Sequence, residues 1–208
     1  MFAGMYHGER LNSLTHLAGT ALAIAGAAEL MSRAIEHGDP WKVAAFGAFG
    51  AGLVLLYAAS TLYHSFRGRA KDVLRKIDHA AIYLLIAASY APFMLVSLRG
   101  PFGLTLFAAI WAMALYGMCR AWQRNDGCDP SPIPYLIMGW LGATAFVPLI
   151  DKLGMAGLGW LAAGGAFYTA GVLFYLNDHR WRHAHGIWHL FVMGGSASHF
   201  IAVFYFVN

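Results

Sequence analysis

Charged residues fall along this chain in short clusters, and between the clusters lie long apolar runs. Residues 11–28, 43–66, 79–98, 100–119, 130–150, 153–177 and 183–208 hold no Asp, Glu, Lys or Arg. Each run is near or above the ~20 apolar residues that a helix needs to cross a bilayer. The first is the weakest, with Thr15, His16 and Thr20 inside it, and it lengthens toward Met31 by tolerating Glu29. The pattern predicts an all-α fold: a polytopic membrane protein, a seven-transmembrane helix bundle forming one domain over 1–208. The expected spans are about 12–32, 43–66, 77–98, 100–121, 132–150, 154–177 and 185–207. Short connections join them. No internal repeat or low-complexity linker interrupts the series.

Composition narrows the class. Hydrophobic residues make up 59% of the chain and charged residues 12%, about half the charge of an ordinary soluble domain. That is too little charge for a polar skin. Aromatics at 15% exclude disorder, and two cysteines exclude a disulfide scaffold. Little positive charge precedes the first apolar run, only Arg10 beside Glu9, so this segment is not read as a signal peptide.

The basic residues also divide unevenly between alternate sides of the expected helices. One side carries Arg10, Arg67, Arg69, Lys71, Arg75, Lys76, Arg120, Arg124, Arg180 and Arg182; the other carries Arg33, Lys42, Arg99 and Lys152. The positive-inside rule puts the richer side in the cytoplasm, with the N-terminus inside and the C-terminus outside. Trp122, Trp181 and Trp188 then fall at the inner interface and Trp41 at the outer one. The net charge of +4 reads as topology and attraction to lipid, with no nucleic-acid partner. Cys119 reads as a small core residue at a helix end and Cys128 as a loop thiol. Both lie on the reducing side, where a disulfide is not expected.

Polar groups inside a membrane helix are costly, so their placement is informative. Here they gather at one depth. Glu9, Asn12 and His16 lie at the inner end of the first span, Ser60 and His64 at the inner end of the second, Asp78 and His79 in the first turn of the third, and His185 and His189 in the first turns of the last. His185 and His189 are four residues apart and share a helical face. With His64 they form a candidate three-histidine site. Nitrogen ligands suit zinc, and three protein ligands leave a fourth position for water, the pattern of a catalytic site. Asp78 is the carboxylate placed to hold that water, take its proton or orient a ligand histidine. Ser60, one turn from His64, is placed to hydrogen-bond the water or a substrate carbonyl.

Other residues read more plainly. His7, His37, His179 and His183 read as interfacial. His79 neighbours Asp78 and is expected to face elsewhere, because adjacent residues differ by about 100° around a helix. His199 lies about 15 Å beyond His189 along the helix and is expected to bond within the bundle, to Ser196 or Ser89. Glu9 reads as a helix cap. Glycines such as Gly47, Gly50, Gly164 and Gly165 allow close helix approach.

Three segments are similar to those of a known family. They are Ser-Thr-Leu-Tyr-His-Ser-Phe at 60–66, Ile-Asp-His-Ala-Ala-Ile-Tyr at 77–83 with Tyr90 and Pro92 following, and His-Gly-Ile-Trp-His-Leu-Phe at 185–191 running to His199 and Phe200. They resemble the hemolysin III family, the bacterial branch of the progestin and adipoQ receptors, related more distantly to alkaline ceramidases. Glu9, Asn12 and His16 fit the same pattern. The resemblance implies seven helices, an inside N-terminus and a zinc near the cytoplasmic face. Matched residue by residue, it implies His64, His185 and His189 as metal ligands, with Ser60 and Asp78 as the site's serine and aspartate. Ala88 and Ala91 stand where relatives often carry glycine or threonine.

Several functions follow as expectations. The first is a zinc-dependent hydrolase acting on a membrane lipid, with an amide favoured by the likeness to ceramidases. The second is a non-enzymatic regulator of membrane lipid state with structural zinc. The third is the cytolytic activity of the family name, which helices that read as integral support little. Haem ligation by histidines on facing helices is a lesser alternative.

Overall fold

The computed structural model describes residues 9–124 and 130–207. His7, Cys128 and Asn208 lie outside them. The helices in chain order are α1 (Glu9–His37), α2 (Pro40–Ser65), α3 (Arg69–Ala91), α4 (Pro101–Gln123), α5 (Ile133–Trp140), α6 (Phe146–Tyr175) and α7 (Ala184–Phe206). No strand occurs among the described residues.

Local sequence sets the helix boundaries. Asp39 caps α2 by accepting a hydrogen bond from the Trp41 amide at 3.0 Å, and Pro40 sits at the first helical position, where its missing N–H costs nothing. Pro92 cannot continue the hydrogen-bond ladder of α3, and the chain widens into one π-helical stretch, Pro92–Ser97. A short 3₁₀ stretch, Leu141–Ala145, joins α5 to α6.

Among the described residues, six helical segments are long and apolar enough to cross a membrane. The longest, Ile133–Tyr175, has 43 residues, and it doubles back on itself. The Tyr175 hydroxyl donates to the Pro130 carbonyl at 2.7 Å, and Trp140 Nε1 donates to Thr169 Oγ1 at 3.0 Å. A continuous helix would hold those pairs about 65 and 45 Å apart. The reversal falls at Gly154, whose φ of 65° and ψ of 174° are open essentially to glycine alone.

The bundle is polar inside at one end and apolar outside. Leu22, Leu115, Val147, Met155 and Leu173 are exposed, while Asn12, His16, Ser60, His64, Asp78 and His189 are buried. This inverts a soluble protein and is what a lipid surround requires. α2 packs between α1 and α3, and α7 packs against α6 and α1. At the α1–α2 contact a Cβ added to Gly50 would come within 2.7 Å of Ala27 Cβ, so glycine lets these backbones approach. Cys119 is exposed, not part of the core as expected. The buried stripe of α4 runs through Ile110, Ala114 and Gly117, and a residue two places on points about 200° away.

Candidate metal centre

Packing of α1, α2 and α7 brings His64, His185 and His189 together. One nitrogen of each lies within 4.8 Å of the others. The ring centroids form a near-equilateral triangle, with separations of 5.1 Å (His64–His185), 5.0 Å (His64–His189) and 4.9 Å (His185–His189). His183, just before α7, adopts a left-handed φ of 61°, which turns the chain into the helix that carries both α7 histidines.

Each ring is oriented through Nδ1. His64 Nδ1 donates to the Glu9 carboxylate. His189 Nδ1 donates to the Asn12 carbonyl at 3.0 Å. His185 Nδ1 donates to Asp178 Oδ2 at 3.2 Å. A ring that donates through Nδ1 carries its lone pair on Nε2. Nε2 is therefore the nitrogen each ring could offer to a metal, and acceptors behind metal-binding histidines have this geometry. His64 Nε2 is buried without a hydrogen-bond partner. An orphaned acceptor in so dry a place costs free energy unless something binds it, and three converging lone pairs supply a donor set that suits zinc. The residues present fit the ion.

The supporting carboxylates differ in setting. Glu9 is shared, its second oxygen accepting from Lys71 Nζ at 2.7 Å, and it also accepts from Asn12 Nδ2 at 3.2 Å. Asp178 lies in the connection between α6 and α7, where the hydrogen bond from His185 holds its carboxyl below the usual carboxylate range. His16 is buried and stacked on His189, with centroids 3.6 Å apart and planes 8° from parallel.

Ser60 and Asp78 are both buried, and both line the cavity onto which the histidines open. That cavity has a volume of about 750 Å³. Its wall away from the histidines is largely apolar, with Leu85, Met94, Phe146, Leu149 and Leu161 among the lining. His79, expected to face elsewhere, also lines it, because the cavity is wide enough to take in both neighbours at the start of the span. Glu9, read as a cap, also accepts hydrogen bonds from His64 and Lys71. His199 packs edge-on against Tyr168, while Ser196 bonds Tyr168 and Ser89 bonds Ile86, so neither expected serine is its partner.

Sequence reasoning missed the roles of Asp178 and of the Asn12 carbonyl. The first depends on loop geometry and the second on helix packing. Glu9 carried a signal, a carboxylate three residues before Asn12 at the mouth of an apolar run.

A bundle of apolar helices around a buried histidine cluster defines a class of multi-pass membrane protein with a metal-capable centre. The family model for Haemolysin-III related proteins matches residues 5–200, and the chain belongs to that family. It is 41% identical over 201 residues to Hemolysin-3 of Bacillus cereus, covering 96% of this chain and 91% of that protein. It is 39% identical over 203 residues to the Hemolysin-3 homolog of Bacillus subtilis (strain 168), covering 95% and 93%. Monocyte to macrophage differentiation factor of Homo sapiens is 32% identical over 200 residues, covering 92% and 81%. The chain is a multi-pass protein of the cell membrane.

Proposed function

We propose that this protein is a zinc-dependent hydrolase of a membrane lipid amide, with its centre near the cytoplasmic face. The observation that carries the reading is the histidine triad at one end of an apolar cavity, each ring held through Nδ1 by an acceptor. His64, His185 and His189 would hold the zinc, which would supply Lewis acidity and activate water at neutral pH. Asp78 takes the proton of the attacking water and passes it to the leaving amine, so that amide and water become a carboxylic acid and an amine. Ser60 orients the substrate carbonyl. The apolar wall takes the acyl chain, which enters from the bilayer.

The proposed topology has seven crossings, counting the two arms on either side of Gly154 separately, with the N-terminus inside and the C-terminus outside. Its supports are the fold-back of the 43-residue segment and the excess of Lys and Arg on one side.

Asp78→Asn tests the chemistry, because it preserves size and removes basicity. The variant is expected to fold, to keep most of its zinc and to lose amide turnover by about 10²-fold or more. Ser60→Ala is expected to cost less. Zinc content and cleavage are measured on parent and variant side by side. If zinc-replete parent cleaves no offered lipid amide or ester, and its melting depends strongly on the metal, the zinc is structural and the protein is a regulator of lipid state.

A further inference from the structure

The cavity has a second polar station. His199 and Tyr168 both line it, beyond the histidine triad and among apolar neighbours such as Leu161 and Val192. His199 lies ten residues past His189 on α7, about 15 Å farther along the helix. A polar pair at that depth of a membrane bundle is expensive to keep there.

The surrounding backbone is shaped to hold the pair. A Cβ at Gly164 would fall 2.2 Å from His199 Cδ2 and 2.4 Å from its Nε2. A Cβ at Gly195 would fall 2.7 Å from the Tyr168 ring. Any larger residue at either position displaces one of the two rings. The rings meet edge to face at 5.5 Å, and the Tyr168 hydroxyl shares a 2.9 Å hydrogen bond with Ser196 Oγ. A neutral imidazole has one donor and one acceptor nitrogen, so His199 offers an acceptor as well as a donor. His199 is half-buried and is among the residues that line the cavity.

We propose that His199 and Tyr168 recognise a hydroxyl carried on the acyl chain of the bound lipid, remote from the group at the metal centre. The inference rests on the lipid reading above and specifies its substrate class as hydroxylated acyl chains. The acceptor nitrogen of His199 takes the ligand's O–H, and the Tyr168–Ser196 hydroxyl pair completes the contact. An unsubstituted chain leaves these groups facing methylenes, and a hydroxyl at the matching depth satisfies them.

The test measures displacement of radiolabelled stearic acid, an analogue of the acyl product, from zinc-loaded protein in lipid nanodiscs. Competitors are unlabelled stearic acid and a series of monohydroxystearic acids differing in hydroxyl position. One mid-chain isomer is expected to bind about five- to tenfold tighter than stearic acid. His199→Phe is expected to abolish that preference, and Tyr168→Phe to reduce it, with zinc content unchanged. Tyr168→Phe keeps the ring that Gly195 accommodates, so it carries the test if His199→Phe does not fold. Equal affinity across the series, or a preference that survives the substitutions, overturns the inference and leaves the lipid reading standing. Failure of every acid to bind overturns both.

Discussion

Removing the carboxylates behind the histidines separates a metal centre from a cluster of packed aromatic rings. In Glu9→Ala, His64 loses the acceptor for Nδ1, and its proton is free to move to Nε2, which then no longer presents a lone pair to the metal. In Asp178→Ala, His185 loses its acceptor in the same way. Losses of this kind typically weaken metal affinity 10- to 100-fold, about 1.4 to 2.7 kcal/mol. The structure ranks the two sites within that range. The His64 and Glu9 side chains are 3% and 20% exposed, whereas those of His185 and Asp178 are 26% and 27% exposed. Water replaces the lost acceptor readily at the more exposed pair and poorly at the buried one. Glu9→Ala is therefore expected near 100-fold and Asp178→Ala near 10-fold. Zinc affinity is read by competition against a chromophoric chelator, with circular dichroism confirming that each variant is helical. Unchanged affinity in Glu9→Ala, alongside its loss in His64→Ala, refutes the orienting role. A larger effect at Asp178 than at Glu9 refutes the ranking.

Purified protein should carry about one zinc per chain, lost in His185→Ala or His189→Ala and kept in His199→Ala, as metal analysis would show. Zinc affinity should fall on acidification, because ligation needs neutral imidazoles, as metal analysis across a pH series would show. Asp178 adds a pH dependence of its own. Its lowered folded-state value means that its contribution to stability is complete above the usual carboxylate range and lost only as pH falls through the lowered value. A reporter fused after Asn208 should be active outside the cytoplasm; activity only inside would refute the seven-crossing topology.

What was legible in the sequence follows from what a membrane does to polarity. In a bilayer every buried polar group needs a reason, so Ser60, His64, Asp78, His185 and His189 stand out at a common depth without any knowledge of the packing. Depth needs only the 1.5 Å rise per residue. Direction around the helix is harder, because it depends on which neighbour packs where. That is why His79 reads as turned away yet lines the cavity, and why Cys119 reads as core yet is exposed. The supporting contacts are harder still. Glu9 and His64 are 55 residues apart, and the Asn12 carbonyl and His189 are 177 apart, so each pair exists only after α1 has docked. The Asn12 contact is made by backbone, and no substitution table would disclose it. The same limit explains the fold-back at Gly154, since one glycine among many in apolar helices carries no mark of the φ it adopts. Residue type and spacing thus identify which side chains can ligate a metal. Which nitrogen each histidine presents is decided by tertiary contacts, and that is the quantity on which both metal affinity and any hydrolytic chemistry at this centre depend.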